Sequence, residues 1–154
     1  MNNTSVLFIC GSLEPGKNGV GDYTRSLVGS LETLGVKGNI IATHDTDVTE
    51  IIEEEQCSEG VSVPVLRIPR DTTKEARTAS IVSALRQIGP DWVSVQFVPY
   101  SFHRKGLPLV FLRQLEVLLS LSCPPNVSRV LDWHFKELFF VPLAGWVVAK
   151  MDSN

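Results

Sequence analysis

Residues 5–35, SVLFICGSLEPGKNGVGDYTRSLVGSLETLG, decide how the rest of the chain is read. Val6-Leu7-Phe8-Ile9-Cys10 is a short apolar run with the character of a buried strand. A loop carrying Gly11, Gly16, Gly19 and Gly21 follows. Asp22 is expected to open a helix whose apolar stripe is Tyr23, Leu27, Leu31 and Leu34, at helical spacing. Gly35 stands where such a helix ends in the left-handed conformation. Strand, glycine loop and helix form the opening unit of a doubly wound α/β domain, in which ligands bind beside the loop after the first strand. A helix N-terminus at that point offers N–H groups and a partial positive charge, which suit a phosphate.

Outward from this unit, strands and helices alternate. Lys37–Thr43 reads as a second strand, ending in the polar turn His44-Asp45-Thr46-Asp47. Val48–Gln56 is expected to form a short helix anchored by Ile51 and Ile52, with Glu53-Glu54-Glu55 as a solvated face. Val61–Ile68 reads as a third strand, and Pro64 within it points to an edge strand or its rim. Asp71 or Thr72 is expected to cap a helix with Ala79, Val82, Leu85 and Ile88 as its apolar positions, stopped by Gly89-Pro90. Asp91–Phe97 alternates, with Val93, Val95 and Phe97 on one side and Trp92, Ser94 and Gln96 on the other. Residues 98–106 form the loop after this fourth strand. Pro108–Leu121 reads as an apolar helix and Arg129–His134 as a fifth strand. The pattern predicts a single Rossmann-like α/β domain over residues 1–154, a doubly wound parallel sheet with right-handed crossovers. Leu138–Ala149 is nearly continuous in apolar character, interrupted by Pro142, and too short to span a bilayer. It is expected to be a buried strand–turn–strand or core helix. The alternative is a surface for a second domain, a partner chain or a membrane face.

The totals narrow the function. At 154 residues the chain has the size of one domain. A net charge of −3 gives no electrostatic case for nucleic acid. Cys10, Cys57 and Cys123 are odd in number and unpaired in spacing, which fits a reducing compartment and neither a zinc site nor a disulfide frame. The N-terminus MNNTSVLFIC lacks the basic region and the apolar length of a signal peptide. Without a secretion signal, the glycosylation patterns at Asn3-Thr4-Ser5 and Asn126-Val127-Ser128 carry little weight. The expected location is cytoplasmic.

The glycine loop fits neither common nucleotide motif. Gly11–Asn18 is one residue short of a P-loop, because Asn18 stands where the magnesium-binding hydroxyl belongs, and Gly19-Val20-Gly21 is expected to delay the helix to Asp22. The dinucleotide fingerprint fails as well, since Thr24 occupies the place of its last glycine. Four glycines beside a helix N-terminus still favour a ligand over a loop with turns alone. Gln96, Tyr100 and His103, with Arg104 and Lys105, are expected at the C-terminal edge of the sheet, facing this loop; the alternative for His103-Arg104-Lys105 is a solvated basic turn. No Ser/His/Asp set can be assembled, and no Cys-x-x-Cys or His-x-x-x-His spacing provides a metal site.

Gly16-Lys17-Asn18-Gly19-Val20-Gly21-Asp22-Tyr23-Thr24-Arg25-Ser26-Leu27 resembles the loop and first helix of GT-B glycosyltransferases of the family-4 type. Pro90–Tyr100 (PDWVSVQFVPY) resembles that family's strand of the form PD-φ-φ-φ-Q-φ-x-P, in which many members carry a histidine near the position of Gln96. The resemblance covers roughly residues 5–110, two motifs in the right order. It implies the N-terminal, acceptor-side Rossmann-like domain. It also implies that Gly19, Val20 and Gly21 approach the diphosphate of a nucleotide-sugar donor, a substrate and not a resident cofactor, and it suggests retention at the anomeric centre. Gln96, Tyr100 and His103 are then expected to line the acceptor side. The acceptor would be a sugar or a lipid-linked sugar, and the lipid-linked case would bring peripheral association with the inner face of a membrane.

Two departures temper the resemblance. The family's second domain, which holds most donor contacts and an acidic E-x7-E motif, has no counterpart in these residues. Phe135-Lys136-Glu137-Leu138-Phe139 aligns with a family stretch of the form F-H-E-L-W, placing Lys136 where a histidine is expected and His134 two positions early. The chain alone is therefore expected to show little or no transfer. The rival expectation is a non-enzymatic sugar- or nucleotide-binding module that keeps the fold without the chemistry. A third, an independent flavodoxin-like or nucleotide-binding enzyme, would require tight cofactor binding.

Overall fold

A computed structural model of the chain describes residues 4–102, residue 113 and the strand 145–150. The elements run β1 (Ser5–Cys10), α1 (Gly19–Thr33), β2 (Lys37–Asp45), β3 (Ile52–Ser58), β4 (Val61–Pro69), α2 (Lys74–Ile88), β5 (Trp92–Phe97), a short α3 (Pro99–Phe102) and β6 (Gly145–Lys150). The sheet order is β3-β4-β2-β1-β5-β6. Its four central strands are parallel, while β3 and β6 pair antiparallel at the two edges. The first five strands thus form a mixed, mostly parallel sheet flanked by helices, not the all-parallel sheet expected.

The two faces of the sheet bury separate cores. Leu7, Ile9, Ile41, Ile68, Val93 and Val95 pack with Ile81 and Leu85 of α2. Phe8, Cys10, Ile40, Ala42, Val63 and Val65 pack with Val28 of α1 and with Leu13 of the glycine loop. Alternating strand residues supply the two faces, and each helix covers one of them.

The stretch read as a helix over 48–56 is instead the strand β3. Glu59 and Gly60 both take positive φ, 52° and 76°, and join Ser58 to Val61 in a two-residue hairpin. The three glutamates alternate in burial: Glu53 and Glu55 are exposed, whereas Glu54 is half-buried. Pro64 lies inside β4, which is not an edge strand. Pairing with β2 begins one residue later, at Val65, so the missing N–H falls at the rim of that ladder.

Both helices are rotated from their expected stripes. In α1 the buried positions are Gly21, Thr24, Arg25, Val28 and Gly29. Tyr23 is 49% exposed and Leu34 77% exposed, and Leu27 and Leu31 pack at the flank. Close approaches set this rotation. A methyl on Gly29 would meet the Ser58 carbonyl at 2.8 Å, and one on Gly21 would overlap the Ser12 carbonyl. The cap of α2 is Thr73, whose hydroxyl accepts from the Ala76 N–H at 3.3 Å, not Asp71 or Thr72. Its buried positions are Arg77, Ile81 and Leu85, while Ala79 is exposed. Gly89 ends it at φ 56°, as the Gly-Pro stop requires. Apart from residue 113, the expected helix at 108–121 lies outside the described residues, as do the strand at 129–134, the 135–139 stretch and tail residues 138–144, and 145–149 of the tail belong to β6.

Candidate functional site

The loop after β1 lies at the C-terminal edge of the sheet, where the chain leaves β1 for β2 on one side and reaches β5 on the other. Gly11 touches the segment after β5. A methyl there would stand 2.5 Å from the Ser101 side chain and 2.9 Å from its carbonyl oxygen. The glycine loop and the start of the 98–106 segment are thus brought together as expected, with side chains placed differently. Gln96 is buried on the α1 face and donates from Nε2 to Ser94 Oγ at 3.0 Å. Tyr100 is 64% exposed on α3. Gln96 and Tyr100 do not share one surface, and His103 lies outside the described residues.

Helix α1 begins at Gly19, three residues before the expected Asp22. Asn18 is the reason: its Oδ1 accepts from the Gly21 N–H at 2.9 Å, and its carbonyl accepts from the Asp22 N–H at 2.8 Å. Gly19, Val20 and Gly21 are therefore the first turn of the helix and not a loop before it. Open space surrounds Gly19, whereas Gly21 is fixed against Ser12. Asp22 adds a carboxylate to this turn, accepts from the Gly16 N–H at 3.0 Å and pairs with Arg25.

Beneath the loop lies a buried ion-pair network. Asp45 is fully buried at the end of β2. Its carboxylate accepts from Arg67 Nε at 2.8 Å, Leu13 N–H at 3.1 Å, Asp47 N–H at 3.0 Å and Ser12 Oγ at 3.2 Å. Arg67 also pairs with Glu14 at 2.7 Å and Glu54 at 3.2 Å. Gln56 links Glu54 to Arg25, which donates to Gln56 Oε1 at 2.8 Å and to the Leu13 carbonyl at 3.0 Å. Lys17 pairs with Asp47 at 2.6 Å on the surface. Burial alone would raise the Asp45 carboxyl, but the bonds from Arg67, Asp47 N–H and Leu13 N–H hold it below its ordinary value. Every cation of this network is already paired: Lys17, Arg25 and Arg67 face the carboxylates of Glu14, Asp22, Asp45, Asp47 and Glu54. What the loop offers an anion is backbone N–H and the helix dipole, not side-chain charge.

A bulge builds this network. Between Ala42 and Asp45, β2 advances three residues while β4 advances two, from Arg67 to Pro69. Strict alternation from Ala42 would put His44 on the α1 face; the extra residue puts Asp45 there, beside Arg67. The one legible signal was Arg67 itself, which shares parity with Val63 and Val65 in an apolar strand. A charged residue in such a row needs a buried partner.

On the other face of the same edge, His44 is buried edge-on to Phe102 at a centroid distance of 5.7 Å, and Phe102 stacks on Phe97 at 5.6 Å. Burial, with the nearby charges of Arg77 and Arg70, lowers His44 to about 3, so its ring is neutral at physiological pH. A cleft of about 310 Å³ lined by Asn39, Ile41, Glu53, Leu66, Ala84 and Ile88 lies toward the β3 edge on the α2 side, apart from the glycine loop. Among the described residues no group of His, Cys, Asp and Glu is arranged to hold a metal ion. No helix among them is long and apolar enough to cross a membrane. Comparison with known proteins finds no matching family, no matching curated protein and no matching solved structure.

Proposed function

We propose that this chain is the acceptor-side, Rossmann-like domain of a GT-B glycosyltransferase, acting in a cleft with a donor-binding partner domain. The observation that carries the reading is the first turn of α1, where Gly19 lies open at the C-terminal edge of a parallel sheet and the Asn18 cap leaves the Gly19 and Val20 amides for a ligand. These amides would approach the donor diphosphate through the backbone, as the resemblance of residues 16–27 implies. Catalysis in that class is chiefly positioning, with electrostatic stabilisation of the departing diphosphate. The saturated cations around the loop divide the labour: this domain orients the ligand, and the compensating positive charge comes from elsewhere in the cleft.

The same saturation favours a second reading, a binding module that holds a sugar or nucleotide without turnover. One experiment addresses both. Titrate the isotope-labelled chain with uridine, guanosine and adenosine diphosphate sugars, and follow the backbone amide spectrum. The transferase reading expects selective shifts of Gly19 and Val20 with one donor, and sugar transfer when a donor-binding domain is supplied. Shifts without transfer would support the module. No shift of these amides with any donor would refute both.

A further inference from the structure

Among the described residues β3 is the outermost strand of the sheet, paired with β4 on one side only. Its hairpin fixes which backbone groups that pairing leaves over. Glu59 and Gly60 both take positive φ, so Ser58 and Val61 close a type I′ turn as a hydrogen-bonded pair. Bonded pairs alternate along an antiparallel ladder, which makes Gln56–Val63, Glu54–Val65 and Ile52–Arg67 the others. The N–H and C=O groups of Glu53, Glu55 and Cys57 therefore point away from β4, and all three residues are exposed.

The side chains of the same three residues share one face. Glu54 and Gln56 turn to the α1 side, where they bond Arg67 and Arg25, so Glu53, Glu55 and Cys57 stand on the α2 side. That is the side of the cleft of about 310 Å³, which Pro64 and Leu66 of β4 and Ala84 and Ile88 of α2 line, with Glu53 and Glu55 along its β3 side. The register shows how the apolar surface reaches the carboxylates: Ile41 lies beside Leu66 and Leu66 beside Glu53, while Pro64 lies beside Glu55. Pro64 is exposed and Leu66 half-buried. No lysine, arginine or histidine among the described residues lines this cleft. Glu55 accepts from the neutral Ser62 hydroxyl, and neither Glu53 nor Glu55 makes an ion pair among the described residues.

We propose that the outer side of β3 is a docking site for an extended segment of a partner protein that carries lysine or arginine at alternate positions and adds to the sheet as a further strand. An open ladder takes a backbone, the apolar cleft takes alkyl chains, and the two carboxylates take cations; a basic strand supplies all three. Residues bonded opposite Glu53 and Glu55 put their side chains on the same face as these glutamates, which gives opposite-charge cross-strand pairs. Their alkyl stems then lie over the apolar mouth of the cleft while the charged heads stay at its rim. A second copy of the chain does not fit: pairing antiparallel about the middle of β3 sets Glu55 opposite its own counterpart, like charge against like. The surface is apart from the glycine loop, and the proposal stands independently of the transferase reading.

The test is amide hydrogen exchange of the isotope-labelled full chain, titrated at constant ionic strength with a short blocked peptide alternating lysine and valine. Two control peptides replace lysine by glutamate or carry N-methyl groups on the amides that would join the ladder. The expected result is saturable slowing of exchange at Glu53, Glu55 and Cys57 with the lysine peptide, and none with either control. Glu53→Gln, a change at an exposed side chain, should weaken binding about two- to fivefold, as loss of one cross-strand charge pair does. The double variant Glu53→Lys/Glu55→Lys should transfer binding to the glutamate peptide. Absence of slowing with the lysine peptide would overturn the proposal. Equal slowing with the glutamate peptide, or binding undiminished by N-methylation, would overturn it as well, the latter by showing adhesion of charge without a ladder. Slowing that grows with protein concentration in the absence of peptide would assign the edge to a second copy instead.

Discussion

Asp45→Ala is the substitution that most directly tests how the glycine loop is held. It removes the acceptor of the Leu13 N–H, the Asp47 N–H and the Ser12 hydroxyl, and it breaks the 2.8 Å bond from Arg67. Arg67, 5% exposed, keeps Glu14 and Glu54, so its charge is not left alone. The cost therefore falls at the lower end of the range for breaking a buried pair, about 3 kcal/mol. For a domain of this size that lowers Tm by about 6–12 °C. Urea unfolding, with ΔG taken at unchanged m, measures it. The double variant Asp45→Ala/Arg67→Met should be less damaging than the sum of the two single ones, with a coupling of about 1.5 kcal/mol or more. A single-variant loss under about 1 kcal/mol, or strict additivity, would show that the network is not the clamp described here.

Further outcomes follow from the same geometry. Asp45 is held below its ordinary 3.8, so the stability it contributes is present above that value and is lost as pH falls through its folded value; acid unfolding of Asp45→Ala should show a flatter dependence there. His44, lowered from 6.5 to about 3, takes up a proton on unfolding between those values, so stability falls as pH drops from 6.5 toward 3 by up to about 1.4 kcal/mol per pH unit; His44→Gln, followed by denaturant titration at several pH values, should remove that slope. Gly21→Ala forces a methyl into the Ser12 carbonyl and should cost about 1–3 kcal/mol, whereas Gly19→Ala meets open space and should be neutral or stabilising by about 0.5 kcal/mol; thermal melts of the pair separate packing from ligand approach. Asn18→Ala should lose about 1 kcal/mol with its cap, read by the same melts, and hydrogen exchange should locate the loss at residues 19–22.

The elements that periodicity and punctuation specify were legible: β1, β2, β4, α2 and β5 stand within a few residues of their sequence limits, Gly35 takes the left-handed conformation its place implied, and Gly89 ends α2 where the Gly-Pro stop placed it. What failed did so for identifiable reasons. Three successive glutamates resemble a solvated helix face, yet Glu54 and Gln56 turn inward because Arg67 and Arg25 wait beneath them. The stripe of α1 was drawn through its largest apolar residues, but glycines at 21 and 29 decide the contact, since only there does the backbone come close enough. The network at Asp45 joins residues from the loop, α1, β2, β3 and β4, and it depends on a bulge that reverses parity. No local pattern announces that. Of the expected site residues, Gly19–Gly21 lie in the first turn of α1 and not in a loop before it, and Gln96 is buried, donating to Ser94 in the same row.

The last strand has a consequence for how the molecule is made. Among the described residues, the four parallel strands and the two long helices lie within the first 97 residues, and the strand that pairs along the outer side of β5 is Gly145–Lys150. At about 5–20 residues per second, a ribosome leaves several seconds between making the two. During that interval Trp92–Phe97 lacks the β6 partner that completes its outer ladder. Chains terminated before residue 145 should accordingly require a chaperone for soluble yield, although the parallel centre of the sheet is already encoded.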